Sequence, residues 1–163
     1  ADIQTNESAD LDKLNLVEIV KSSILNVTAL ARTSQVKISL ESISEKVWVQ
    51  VNLSYLESIV LNLLTNAIKY SDPKKERFVN ISFDISPEWT ILSVADNGLG
   101  IDLKRQGRKM FGMYKTFHDH PDSRGIGLFI TKNQVEALGG KIEVESKEGV
   151  GSTFKVYLKT NES

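Results

Sequence analysis

Apolar and polar positions follow two rhythms along this chain, and each rhythm predicts a type of element. From Asn15 onward, Val17, Val20, Ile24, Val27 and Ala31 recur at helical spacing, which predicts one amphipathic helix. Glu18, three residues after Asn15, gives it a capping-box-like start. The rhythm then changes to alternation. Val36, Ile38 and Leu40 oppose Lys37 and Ser39, and Val47, Val49 and Val51 repeat the pattern, so a pair of strands is expected. A second helix is predicted from Ser54 to Tyr70, stopped by Ser71-Asp72-Pro73.

The second half is richer in strands. Val79, Ile81, Phe83 and Ile85 alternate with polar residues, and Thr90 to Ala95 forms another run. Residues 101–124 show no steady period and read as irregular. Gly125 to Leu138 predicts a third helix, closed by Gly139-Gly140. Two strands finish the chain, with Ile142, Val144, Phe154, Val156 and Leu158 inward and Lys155, Tyr157 and Lys159 outward. Because every strand alternates, the sheet is expected to be buried on one face, with three helices covering it. The fold class is therefore α+β, a two-layer α/β sandwich with a mixed sheet. Residues 1–13 read as a loose polar lead, 14–160 as the domain and 161–163 as a tail.

Composition narrows the classes without choosing one. The chain has 163 residues, 40% hydrophobic and 25% charged, as in an ordinary globular domain. A formal net charge of −1 gives no overall attraction to nucleic acid or membrane. The absence of cysteine excludes disulfides and thiolate metal sites and fits a reducing compartment. No apolar run reaches membrane-spanning length. The chain does not start with Met and both its ends are polar, so it reads as a piece of something longer.

Four stretches could carry chemistry. Stepping about 100° per residue around the second helix places Tyr55, Ser58, Asn66, Lys69 and Tyr70 within about 80° of Asn62. Leu56, Val60, Leu61, Leu63, Leu64, Ala67 and Ile68 fall on the other side. That strip could simply be a solvated face, but Asn is a poor helix former, and amide oxygens can ligate magnesium while a lysine meets phosphate. Asp96-Asn97-Gly98-Leu99-Gly100 could be a turn, or a place where backbone approaches a flat ligand while a carboxylate reads an exocyclic amine. Arg124-Gly125-Ile126-Gly127-Leu128 could be a flexible junction, or helix N–H groups presented to an anion. Gly149-Val150-Gly151-Ser152-Thr153-Phe154 is most simply a tight hairpin turn.

In this order, Asn-x3-Asn-Ala-x-Lys-Tyr, Asp-Asn-Gly-x-Gly, Gly-x-Gly-Leu and Gly-x-Gly-Ser-Thr-Phe resemble the ATP-binding catalytic domain of sensor histidine kinases. That domain belongs to the GHKL superfamily, which also contains DNA gyrase, and the likeness runs from about Leu14 to Lys159. The resemblance implies a Bergerat-type ATP-binding fold with ATP and magnesium as cofactors. It implies that Asn66 coordinates magnesium and that Asn62 faces the same pocket. Lys69 would contact phosphate and Tyr70 border the adenine. Asp96 would accept from the adenine amino group, with Gly98, Gly100 and Ile101 shaping that pocket and Thr153 supporting Asp96 through water. Gly125, Gly127 and Leu128 would lie beside the phosphates. Phe111 to Phe117 looks like the aromatic segment of a mobile lid, with Lys115 as its basic residue. Two features depart from the family: Ser123 stands where the second glycine box has a further glycine, and the lid is short.

The resemblance also implies partners. Members that activate water, and the anti-sigma serine kinases, place a Glu where this chain has Asn62, whose amide has no useful basicity. Transfer of the γ-phosphate to a histidine on a separate phosphoacceptor domain of the same parent is thus expected, with a response regulator receiver downstream. Asn62, Lys69 and Lys115 are the candidate catalytic residues. The alternatives are a docking module that binds nucleotide without catalysis and a gyrase-like ATPase. Nucleic acid is not an expected partner, the isolated piece is expected to be monomeric, and the location is expected to be cytoplasmic, with a membrane-anchored parent allowed.

Both histidines sit in Phe117-His118-Asp119-His120-Pro121. Pro121 breaks any helix there, whereas the family's phosphoacceptor histidine is helical, and a His-x-His metal site would need more ligands. They read as exposed lid residues. Incubated alone with radiolabelled ATP, the chain should acquire no acid-labile phosphate. Label that persists and disappears in His118→Ala would overturn this.

Overall fold

A computed structural model describes residues 10–42, 44–101 and 123–161, with side chains left out at 123–126. The chain begins with a short strand that the polar lead does not foreshadow. This strand, β1 (Asp12–Asn15), is followed by α1 (Leu16–Asn26) and α2 (Thr28–Thr33). The expected single first helix is thus two. The break falls at Val27, with φ −105° and ψ 8°, where the Thr28 hydroxyl donates to the Ile24 carbonyl at 3.0 Å. A β-branched threonine that bonds back to the preceding turn competes with the regular ladder, which is interrupted here.

The next strands are β2 (Val36–Glu41) and β3 (Trp48–Val51). Both lie where alternation put them, but they do not pair with each other. β3 pairs antiparallel with β1, while β2 joins the main sheet, parallel to β4 (Arg77–Ile85). Between β3 and β4 runs α3 (Leu53–Lys69). The chain ends with β5 (Trp89–Asp96), α4 (Ser123–Ala137), β6 (Lys141–Lys147) and β7 (Gly151–Lys159). The main sheet has the order β2-β4-β5-β7-β6, with all pairs antiparallel except β2–β4. It is the mixed, two-layer α+β sandwich expected.

One face of the sheet is apolar. Val79, Ile81, Leu92, Val94, Val156 and Leu158 are buried there. They pack in one core with Leu56, Ile59, Leu63, Leu64 and Ile68 of α3, Leu16, Val17 and Val20 of α1, and Leu128 and Val135 of α4. Along α3 the buried apolar residues recur at three- and four-residue steps, so hydrophobic burial alone fixes which side of the helix faces the sheet. Opposite this layer, β6 forms an edge with Lys141, Glu143, Glu145 and Lys147 on its outer side. The Tyr157 hydroxyl, donating at 2.8 Å, and the Lys141 ammonium hold the Glu143 carboxyl below its ordinary range.

Two asparagines start the major helices, and they differ in what they hold. Asn52 accepts from Tyr55 N at 3.0 Å and donates to the Asp10 carbonyl at 3.1 Å near the surface. Asn15 is buried. Its Oδ1 accepts from Val17 N at 3.1 Å and from Val47 N at 3.0 Å, and its Nδ2 donates to the Glu45 carbonyl at 3.0 Å. One side chain thus caps α1 and ties it to the approach to β3. Asn52→Ala should cost about 1 kcal/mol, the ordinary value of a cap. Asn15→Ala should cost roughly 2–4 kcal/mol because two buried N–H groups lose their acceptor. Urea unfolding of both variants checks the order, and equal losses would show that Asn15 is only a cap.

Candidate functional site

The strip on α3 is narrower than a helical wheel implies. Lys69 is exposed and Asn62 half-buried, but Asn66 is only 9% exposed, and Leu61, placed on the apolar side, is exposed. Asn62 Nδ2 donates to the Thr131 hydroxyl of α4 at 3.3 Å, and that hydroxyl donates to the Gly127 carbonyl at 2.9 Å. Asn62 therefore connects two helices. Asn66 Nδ2 is buried with no hydrogen-bond partner among the described residues. An orphaned amide donor of this kind is costly unless something completes it.

Tyr70 closes α3, and its carbonyl accepts from Leu99 N at 3.0 Å. That bond holds the Asp96–Gly100 loop beside the last turn of α3. The loop sits so close that a Cβ on Gly98 would lie 2.5 Å from the Tyr70 carbonyl oxygen, so only glycine fits. Gly100 continues with φ +74° against the Lys147 backbone, and Ile101 N then donates to the Ser146 hydroxyl at 2.8 Å.

Asp96 ends β5 on the helix-covered face, after Leu92 and Val94. Its Oδ1 accepts from Gly98 N at 2.9 Å and from Ser152 N at 3.3 Å. Two backbone donors on one oxygen orient the carboxylate. Register explains the second donor, since Asp96 lies opposite Ser152 across the β5–β7 pair.

The same register corrects one expectation. Thr153 lies opposite Ala95, and alternation turns its side chain to the face that Lys155 and Tyr157 share. Ser152 is the hydroxyl residue on the face of Asp96. It is buried, and its hydroxyl lies 2.7 Å from that of Ser146. With two hydroxyl residues in succession, only the pairing register shows which one shares the face of Asp96.

α4 begins at Ser123, before the expected Gly125. Gly125 lies in its first turn, whose N–H groups lack intrahelical acceptors. Gly127 follows two residues on, where an added Cβ would meet open space. Leu128 and Ile101 belong to the hydrophobic core. Lys115, the Phe111 to Phe117 stretch, His118 and His120 lie outside the described residues. Three further residues give no signal in the periodicity. They are Ser152, Thr131, and Lys75, whose ammonium lies among backbone carbonyls of the Asp96 loop and the β6–β7 turn.

Residues 51–162 match the model of the histidine kinase-, DNA gyrase B- and HSP90-like ATPase family, and the chain belongs to that family. Curated relatives agree. It is 30% identical over 145 residues to the methanogenesis regulatory histidine kinase FilI of Methanothrix harundinacea, covering 88% of this chain and 16% of that one. It is 30% identical over 166 residues to the sensor histidine kinase YcbM of Bacillus subtilis, covering 97% of this chain and 52% of that one. The chain thus spans only part of the curated relatives it matches. Among solved structures, the catalytic domain of histidine kinase ThkA shares its fold with a TM-score of 0.81 at 21% identity, covering 94% of this chain and all of that one. The mycobacterial sensor histidine kinase MprB gives 0.75 at 25% identity, covering 94% and 99%.

The loop geometry predicts different outcomes for two changes at one position. Asp96→Asn can keep an oxygen acceptor for Gly98 N and Ser152 N, whereas Asp96→Ala leaves both donors without it. Asp96→Ala should unfold at lower urea, by about 1–3 kcal/mol relative to Asp96→Asn. Superimposable unfolding curves would show that the two N–H bonds do not hold the loop.

Proposed function

We propose that this chain binds Mg-ATP between α3, the Asp96 loop and the start of α4, and that its parent transfers the γ-phosphate to a histidine on a separate phosphoacceptor domain. The observation that carries the reading is the pairing of an Asp96 carboxylate fixed by two backbone N–H groups with the orphaned, buried Asn66 amide. Asp96 reads the adenine amino group. The Asn66 amide N–H answers a phosphate oxygen, and its carbonyl is a hard oxygen donor suited to magnesium. No cluster of three or more His, Cys, Asp or Glu that could hold a metal occurs among the described residues. That fits an ion held by one protein oxygen together with nucleotide phosphates and water. Lys69, exposed in the last turn of α3, and the first-turn N–H groups of α4 would answer the remaining phosphate charge.

Bound in this way, Mg-ATP loses the bond between γ-phosphorus and the β–γ bridging oxygen as a bond forms to an imidazole nitrogen, and ADP leaves. Asn62 supplies no base at the water-activating position of the superfamily, and its amide is engaged with Thr131. This favours transfer to an incoming histidine over hydrolysis. The phosphate then passes to a response regulator. Among the described residues no helix is long and apolar enough to cross a membrane.

Calorimetry separates the two recognition elements. Asp96→Asn should weaken ADP binding at least tenfold with no metal present, since it exchanges an acceptor for a donor at the adenine amine. Asn66→Ala should weaken Mg-ATP binding while changing metal-free ADP binding little. If both variants bind like the parent, the pocket is elsewhere. Label from radiolabelled ATP should appear on an added acceptor domain from the parent protein. Binding with no transfer would mark a docking module, and fast phosphate release with no acceptor a gyrase-like ATPase.

A further inference from the structure

Between α3 and β4 the chain turns at Asp72-Pro73-Lys74-Lys75. Lys75 N donates to the Asp72 carbonyl at 3.0 Å, and Lys74 N donates to Asp72 Oδ1 at 2.9 Å. Pro73, which pre-sets its own backbone angle, occupies the second position of this tight turn. The turn fixes the stem of Lys75, whose side chain is half-buried.

The Lys75 ammonium lies among four backbone carbonyl oxygens. Gly149 O is at 2.7 Å, Asn97 O at 3.0 Å, Val150 O at 3.3 Å and Gly98 O at 3.4 Å. Two belong to the Asp96 loop and two to the β6–β7 turn. Among the described residues no carboxylate pairs with this ammonium. An ordinary surface lysine keeps its head in water, and here the shell is made of backbone dipoles instead. An ammonium has three protons, so the four carbonyls share them, as carbonyl oxygens share a monovalent cation that has given up its hydration shell.

Those two loops also hold Asp96. Gly98 N, which donates to Asp96 Oδ1, belongs to the segment that supplies Asn97 O and Gly98 O. Ser152 N, the other donor, follows the turn that supplies Gly149 O and Val150 O. Without a cation, four carbonyl dipoles would point at one another. Gly149 N also donates to Leu99 O at 2.7 Å across the same pair of loops, so loss of the cation would loosen them without parting them and weaken the convergence of the two N–H groups on one oxygen.

We propose that Lys75 is a positioning residue for nucleotide recognition, its ammonium acting as a built-in monovalent cation that clamps the Asp96 loop to the β6–β7 turn. The inference rests on the reading of Asp96 as the adenine acceptor. Lys75 does not touch the nucleotide.

The test removes the ammonium, with the stem kept in Lys75→Met and removed in Lys75→Ala, and offers a substitute ion. Metal-free ADP binding by Lys75→Met and Lys75→Ala is measured at equal ionic strength in tetramethylammonium, potassium or ammonium chloride. In tetramethylammonium both variants should bind ADP roughly tenfold more weakly than the parent, the scale of one charge-assisted hydrogen bond. Potassium or ammonium should restore Lys75→Ala, which leaves room for the ion, to within about threefold of the parent, whose own affinity should not depend on the cation. A merely structural lysine would lose stability without cation-selective rescue. Variants that bind like the parent in tetramethylammonium, or a loss that neither ion relieves, would overturn the proposal. A variant too unstable to assay without potassium or ammonium, yet folded and ADP-binding with either, would support it. A parent that itself fails to bind ADP would overturn the nucleotide reading, an outcome distinct from failure of the clamp.

Discussion

A Cβ on Gly151 would overlap the Asp96 carbonyl, and one on Gly98 would press on the Tyr70 carbonyl. The end of β5, the end of α3 and the turn before β7 therefore meet with backbone against backbone. This contact sets the distance at which Ser152 N and Gly98 N reach one carboxylate oxygen. A wider gap would leave Asp96 with one donor and a choice of rotamers. Polar order at the site thus comes from steric closeness, and the closeness comes from two positions that lack side chains.

Support for that contact comes from both layers. On the sheet side, register places Asp96 opposite Ser152 and Val79, so the strands deliver the carboxylate to a fixed point. On the helix side, α3 is held by its apolar face, which brings Asn66 close enough to the core to be buried while Lys69, three residues on, stays exposed. Among the described residues the buried amide is then left with an unmet donor, a local cost that suits a place where a ligand could meet it.

Much of this was legible in the sequence, and the limits have identifiable causes. Alternation located the strands of the main sheet because each has one dry face, and helical spacing located α3 for the same reason. It did not show that β2 and β3 go to different sheets, since alternation reports burial and carries no information on pairing partners. The first helix read as continuous because Val27 keeps the apolar spacing through the break. β1 was missed because Asp12-Lys13-Leu14-Asn15 is a strand through pairing with β3 and has one apolar residue, Leu14, too few to show an alternation. At the site, Asn66 and Asp96 stood out because an amide in an apolar run and an acid at a strand end are exceptions to a pattern. Thr153 was named and Ser152 was not because the motif does not fix register, and Lys75 was silent because one lysine beside another on a polar turn breaks no pattern.

The charged outer row of β6 bears on how this chain coexists with copies of itself. As the last strand of the order, β6 turns a line of backbone donors and acceptors to the outside. Such a line is a template on which another strand can grow, and in crowded surroundings it is a route to fibrillar assembly. Lys141, Glu143, Glu145 and Lys147 place a charge at every second position, and their ion pairs run along the strand or back to β7. A second copy docking there in antiparallel register would bring like charges together or displace those pairs. Among the described residues no strand pairs with this edge, yet it is a poor seed for growth.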